Sequence, residues 1–258
     1  MSETAPHYFV ITVGTTGDIH PFMRIASALQ TLGRKVTFIT HSYYENVVHG
    51  AGLPFVGIGT DEEFLRVLRN PDIWDPRKGF SALFANYSDG LKQILEAIHS
   101  VSAQAPQVVI AHPFAVSGAV IARERGFVKS VVAAYLAPSN LRTCHDPLNI
   151  GPTSVSRWVP MSWRRALWRF VEKGWIDPVA VAQINAARKS LGLPQVHSVL
   201  IRLLPFFGGT ARMSPVTGIQ LGVSGGSGVT RNTQQRAERV EWIEATIEAK
   251  RVLIEIGL

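Results

Sequence analysis

Two side chains able to move protons, Asp18 and His20, stand in the stretch GTTGDIHPF (14–22) between two apolar runs. A carboxylate within hydrogen-bond reach of a hydroxyl can take its proton as a new bond forms at oxygen. An imidazole can do the same near neutral pH. Gly-bearing turns after a first strand commonly cradle phosphate. This one has neither the G-x-G-x-x-G spacing of a dinucleotide site nor the Gly-Lys-Ser/Thr ending of a P-loop. It also sets the charge of Asp18 where an anion would have to sit. Asp18 has a purely structural explanation as well, because Asp is a preferred N-cap and the helix dipole favours its charge. Pro21 suits a first helical turn. From these residues alone, cap and base both stay open. His20 by itself fits a packing or rim position more readily than a catalytic one.

Such side chains act only if a scaffold brings them together. Apolar, β-branched runs at 7–13, 35–40, 53–59, 107–112 and 130–135 read as strands, too apolar on both faces for a half-exposed antiparallel sheet. Between them lie helical periods. Ile25, Ala28, Leu29 and Leu32 share one face ended by Gly33, and Leu91, Ile94, Leu95 and Ile98 share another. The run 113–126 supplies a third helix, again ended by Gly. This β-α-β alternation predicts a doubly wound α/β domain with a parallel, Rossmann-like sheet. Ligands of such sheets bind outside the carboxyl ends of the strands, where strand order reverses. Residues 14–21, His112 and the segment after Tyr135 then share one rim.

The pattern changes after residue 150. Residues 161–193 read as helices interrupted near Asp177-Pro178, with Trp163, Leu167 and Phe170 on one stripe beside Arg164, Arg165 and Arg169. A basic aromatic helix suits a membrane surface, although packing on its own domain is the commoner fate and the expectation here. From about residue 203 the chain is rich in Gly, Ser and Thr without a clear period, and an amphipathic helix follows with Val240, Ile243, Ile247 and Ile254. These shifts divide the chain into an α/β domain over 1–200 and a helical and irregular extension over 201–258.

Of 258 residues, 46% are hydrophobic and 17% charged, which excludes a disordered chain and allows one large core. The formal charge of +7 permits anionic partners without requiring one. No nucleic-acid-binding signature accompanies it. Cys144 is the only cysteine, so neither an intramolecular disulfide nor a cysteine-based zinc site is available, and no metal site is expected. The first residues lack a secretion signal, and no apolar run is long enough to span a bilayer. A cytoplasmic protein is expected, with peripheral contact at the inner membrane face allowed.

GTTGDIHPF, NPDIWDP (70–76), AHPFAVSGAVIARERG (111–126), APSNLRT (137–143) and INAARKSLGLP (184–194) occur in that order. Together they resemble the N-terminal, acceptor-binding half of bacterial glycosyltransferases of the two-Rossmann GT-B architecture. The likeness covers approximately residues 7–200 and is nearest to the rhamnosyltransferases of glycolipid biosynthesis. The sterol and glycopeptide-antibiotic glycosyltransferases are similar too. The resemblance implies that Asp18 is the base: it deprotonates an acceptor hydroxyl, which attacks the anomeric carbon of a nucleotide-sugar and inverts it. A helix-terminal carboxylate stays acidic unless desolvation or a partner assists, and His112 and His20 are the candidates for that partner. Thr15, Thr16 and Gly17 in the first turn, with Ser139 and Asn140, are expected to bind acceptor or donor.

In the family a second Rossmann domain binds the nucleotide-sugar. Here about sixty residues follow position 200, and SGGSGVT (224–230) has Ser224 where the family's loop histidine would stand. The expectation is therefore an acceptor half without its donor half. A dTDP- or UDP-sugar would bind only when a donor domain is supplied by a separate chain or a homo-oligomer, and no cofactor is held tightly. The small-molecule partner would be a hydroxylated lipid or other acyl ligand. Two alternatives stay open: a hydrolase or lactonase using water activated at Asp18 with His20 or His112, and a non-catalytic module that sequesters acyl ligands. No G-x-S-x-G nucleophile elbow is present.

Overall fold

The computed structural model describes residues 6–75, 77–101, 107–136, 149–150, 153–156, 158–198 and 220–223. Five parallel strands form its centre: β1 (His7–Ile11), β2 (Lys35–His41), β3 (Phe55–Ile58), β4 (Gln107–Ala111) and β5 (Ser130–Tyr135). Their spatial order is β3-β2-β1-β4-β5, so the chain winds outward from β1 in both directions. The expected strands and the expected doubly wound sheet are both present.

Residue parity explains why these runs form strands. Phe9, Ile11, Val109, Ala111, Val131 and Ala133 point into one apolar cluster. It is completed by α5 (Tyr87–Val101), α6 (Pro113–Glu124) and α8 (Asp177–Ser190). Tyr8, Val10, Val108, Ile110, Val132 and Ala134 point the other way, against α1 (Thr16–Thr31), α2 (Glu45–Gly50) and α3 (Asp61–Leu68). Both faces are covered, which removes the polar alternation of a half-exposed strand. The remaining helix of the first half, α4 (Gly79–Phe84), buries Phe84.

The helix faces agree with the sequence in part. All four residues of the α5 stripe are buried. In α1 the buried set is Ile19, Phe22, Met23, Ile25, Ala26 and Leu29, whereas Leu32 lies beyond the helix end and is exposed. Gly33 follows with φ +72°, a left-handed turn that suits glycine. Close helix approach depends on Gly118, where an added Cβ would lie 2.7 Å from Ile94 Cγ2.

The second half departs further from expectation. A sixth strand, β8 (Gln220–Val223), pairs antiparallel with the outer edge of β5. The short hairpin of β6 (Asn149–Ile150) and β7 (Thr153–Ser154) precedes α7 (Met161–Val171). Helices α7 and α8 are joined by a π-helical turn over Glu172–Ile176. Pro178 has no N–H to give the carbonyl four residues back, and Asp177 N–H reaches five residues back to Glu172 O instead. The expected interruption is thus a change of winding. Helix α8 returns to the core through Ala180, Ile184 and Ala187. Buried Arg188 then ties it to its surroundings, pairing with Glu124 at 2.8 Å and donating from Nε to Pro194 O at 2.6 Å.

The expected packing of the α7 stripe does not occur: Trp163 and Phe170 are exposed and Leu167 is half-buried. The buried side carries Arg164 and Glu172, with the Arg164 Nε donating to Val159 O at 2.9 Å. The expected amphipathic helix near the C-terminus lies outside the described residues, as does the SGGSGVT loop. Among the described residues no helix is long and apolar enough to cross a membrane.

Gly118→Val should lower unfolding stability by about 2–3 kcal/mol in urea denaturation, because the added methyls meet Ile94 rather than a void.

Candidate active site at the carboxyl ends of β1 and β4

Strands β1 and β4 are neighbours whose following helices lie on opposite faces of the sheet, so their carboxyl ends mark its switch point, where ligands of such sheets bind. Asp18 reaches it from the first turn of α1, and His112 from the residue between β4 and α6. Asp18 Oδ1 stands 3.6 Å from His112 Nε2, within ion-pair reach and just beyond a direct hydrogen bond. His20, two positions after Asp18 on α1, is exposed, and the structure does not bring it to the pair.

The local chain explains the placement of the carboxylate. Thr15 is the N-cap of α1, and Asp18 is the third helical residue rather than the cap itself. Its Oδ2 accepts the Thr15 N–H at 2.9 Å and the Thr15 hydroxyl at 3.4 Å, the reciprocal half of a capping box. Thr12, buried just after β1, donates from its hydroxyl to the Asp18 carbonyl at 3.3 Å. Gly14 has φ +152°, and a Cβ there would lie 2.7 Å from Asp18 Cγ. The turn needs glycine so that the carboxylate can fold back over it. Pro21 falls in the second turn rather than the first, where it leaves the Gly17 carbonyl without its usual helical donor.

His112 is held more tightly. Its N–H donates to Ile11 O at 2.8 Å, and its ring meets Phe22 edge-on at 5.6 Å and stacks on Phe114 at 5.8 Å. Phe114 in turn packs on Phe84, and its carbonyl accepts the Tyr87 hydroxyl at 2.8 Å. The His112 side chain is 7% exposed and that of Asp18 is 32% exposed. Nδ1 of His112 is buried with no partner among the described residues. A proton on Nε2 points the ring N–H at the carboxylate, whereas one on Nδ1 is a buried donor without a partner among the described residues. The pair is therefore asymmetric. Asp18 is reachable from solvent, and His112 stands behind it.

The Asp18 carboxyl is held below its ordinary value. The neighbouring His112 imidazole is the largest cause. Burial opposes it, and the Thr15 N–H, the charge of His112 and the Thr15 hydroxyl add to the lowering. Thr15, Thr16 and Gly17 are exposed on the same turn. Ser139 and Asn140 lie outside the described residues. Sequence reasoning missed Thr12, Gly14 and the aromatic backing of Phe22 and Phe114. Only Gly14 left a signal, as a Gly directly after an apolar strand. No group of three or more His, Cys, Asp or Glu side chains suited to a metal occurs among the described residues.

The doubly wound parallel sheet defines the class: an α/β, Rossmann-like domain of the kind found in the GT-B glycosyltransferases. The glycosyltransferase family 28 N-terminal domain matches residues 8–136, half of the chain, and the chain belongs to that family. A sterol 3-beta-glucosyltransferase of Debaryomyces hansenii is 25% identical over 204 residues, covering 76% of this chain and 12% of the relative. A sterol 3-beta-glucosyltransferase of Arabidopsis thaliana is 41% identical over 56 residues, covering 22% of this chain and 9% of the relative. The chain thus spans about a tenth of the length of these curated relatives. The solved structure of the glycotransferase of kitacinnamycin has the same fold, with a TM-score of 0.50 at 18% identity over 78% of this chain and 44% of that one.

Because its pKa is lowered on folding, Asp18 contributes stability that is present above its unfolded value of about 3.9 and lost as pH falls through the lower folded value. Asp18→Asn should cost about 0.3–1 kcal/mol at pH 7, the usual worth of a charge in a first helical turn. In urea titrations from pH 7 to pH 3 the gap to the wild type should hold above pH ~5 and shrink below pH ~4.

Proposed function

We propose that this chain supplies the acceptor-binding half of an inverting glycosyltransferase, with Asp18 as the base. The observation that supports this most is the Asp18–His112 pair at the sheet's switch point, with the carboxylate outermost. Asp18 accepts the proton of an acceptor hydroxyl while that oxygen attacks the anomeric carbon of a nucleotide-sugar. The bond from that carbon to the diphosphate oxygen breaks, and the configuration inverts. His112 is a positioning residue: its Nε2–H steadies Oδ1, while Thr15 steadies Oδ2, so that one lone-pair direction stays free for the hydroxyl. The lowered basicity of Asp18 is a cost, offset by holding an ionised, oriented carboxylate beside the acceptor. A dTDP- or UDP-sugar would be bound by a second lobe, on the same polypeptide or on a partner chain.

The acceptor we propose is a hydroxylated lipid or a molecule of similar apolarity. Two relatives that are sterol glucosyltransferases by name support this reading. No observation favours the hydrolase or sequestering alternatives.

The test uses the protein together with its donor-binding lobe, with sterol and hydroxy-acyl acceptors and radiolabelled UDP- and dTDP-sugars. Asp18→Asn should lower kcat by roughly 10²–10⁴-fold with little change in acceptor KM, the usual contribution of a positioned base. His112→Phe should lower it less. The acid limb of kcat/KM should fall below pH ~4, since the folded Asp18 pKa lies under its ordinary value. Unchanged turnover in Asp18→Asn would overturn the assignment.

A further inference from the structure

Helix α7 offers solvent a face that the α/β core does not use. Trp163 and Phe170 lie seven positions apart, close to two turns, and so share one side of the helix. They are 71% and 68% exposed, and Trp158 before the helix and Trp175 after it are 94% and 60% exposed. At about 100° per residue the exposed side continues round the helix from this aromatic row to Lys173, about 60° from Phe170, then to Arg169 and, on the far flank, Arg165. From 158 to 175 the one carboxylate is the buried Glu172. Among the described residues no ion pair neutralises Arg165, Arg169 or Lys173.

We propose that this face of α7 is a docking surface for an anionic phospholipid bilayer, with the helix lying in the plane of the membrane. The sign of the charge selects the partner, because three unneutralised cations with no exposed acid between them match a layer of negative headgroups. The ring chemistry selects the depth. Tryptophan presents an apolar body and an N–H donor, which suits the headgroup level, while Phe170 reaches the acyl boundary. At 1.5 Å per residue the eleven residues of α7 offer a strip about 16 Å long, enough for several headgroups. Contact of this kind is peripheral, in keeping with the lack of any membrane-crossing helix among the described residues. The proposal stands independently of the glycosyl-transfer reading, since Asp18 and His112 take no part in it.

The test is co-sedimentation of the full chain with vesicles of phosphatidylcholine alone and of an equimolar mixture with phosphatidylglycerol. Binding to the mixed vesicles should exceed binding to phosphatidylcholine by roughly 100-fold at low salt and weaken as salt rises. The double variant Arg165→Gln/Arg169→Gln should bind the mixed vesicles about 30-fold more weakly. Trp163→Ser/Phe170→Ser should lose quenching of tryptophan fluorescence by brominated lipid. All four positions are exposed, so circular dichroism and the thermal midpoint should match the wild type. Equal binding to both vesicle types, or undiminished binding by either double variant, would overturn the proposal. So would equal affinity for soluble heparin, which would reduce the face to an unspecific polyanion site. Self-association that disappears in Trp163→Ser/Phe170→Ser, without vesicle binding by the wild type, would assign the face to a second copy of the chain.

Discussion

The pairing of β1 along both of its edges is the constraint on which the site depends. His7 through Ile11 bond in register to Lys35–Ile39 on one side and to Gln107–Ala111 on the other, and all five residues of β1 are buried. A slip of one residue would exchange Tyr8 and Val10 for Phe9 and Ile11 between two different apolar layers. The register is therefore held by packing on both faces. The same register sets the carboxyl ends of β1 and β4 level, and the bond from the His112 N–H to Ile11 O extends it one residue further. Strand pairing thus brings the first turn of α1 and His112 to the same end of the sheet.

One carboxylate closes a turn and, in the proposed function, acts as the base. As the third residue of α1, Asp18 answers the Thr15 N–H; as the outer member of the rim pair, it stands toward solvent at the switch point. The two uses pull in opposite directions. Every donor that orients the group also stabilises its charge and so weakens it as a base. Burial restores part of that basicity. The aromatic shell around His112 acts in the same economy, because it leaves the imidazole one way to satisfy its proton, toward Asp18.

The strands were the most legible part of the chain. Runs buried on both faces read as continuous apolar text, and all five fell where the sequence placed them. The α5 stripe was equally plain because its four apolar residues share one tight arc. At α1 the period was visible but its end was not, since Gly33 closes the turn one residue after the exposed Leu32. Asp18 and His112 are legible as candidates, but the N-cap is Thr15 and not Asp18. Thr15 caps the helix and Asp18 reciprocates, a pairing that only backbone geometry reveals. The stripe on α7 misled for a different reason. Trp163, Leu167 and Phe170 have core-like spacing, but tertiary packing turned Arg164 and Glu172 inward. Strand β8 was illegible, because QLGV is too short to carry a period and its partner is distant in sequence.

The two margins of the sheet are unlike. On the β5 side, the antiparallel β8 takes up the hydrogen-bonding groups that an open parallel strand would present. On the other side, among the described residues, β3 is the terminal strand. It is four residues long, preceded by Pro54 and followed closely by Gly59 at φ +65°. Proline withholds a donor, and the left-handed glycine bends the backbone out of line. Among the described residues both margins end in four-residue strands, β3 and β8, and this brevity denies a foreign strand a long, flat template for lateral growth into ribbons.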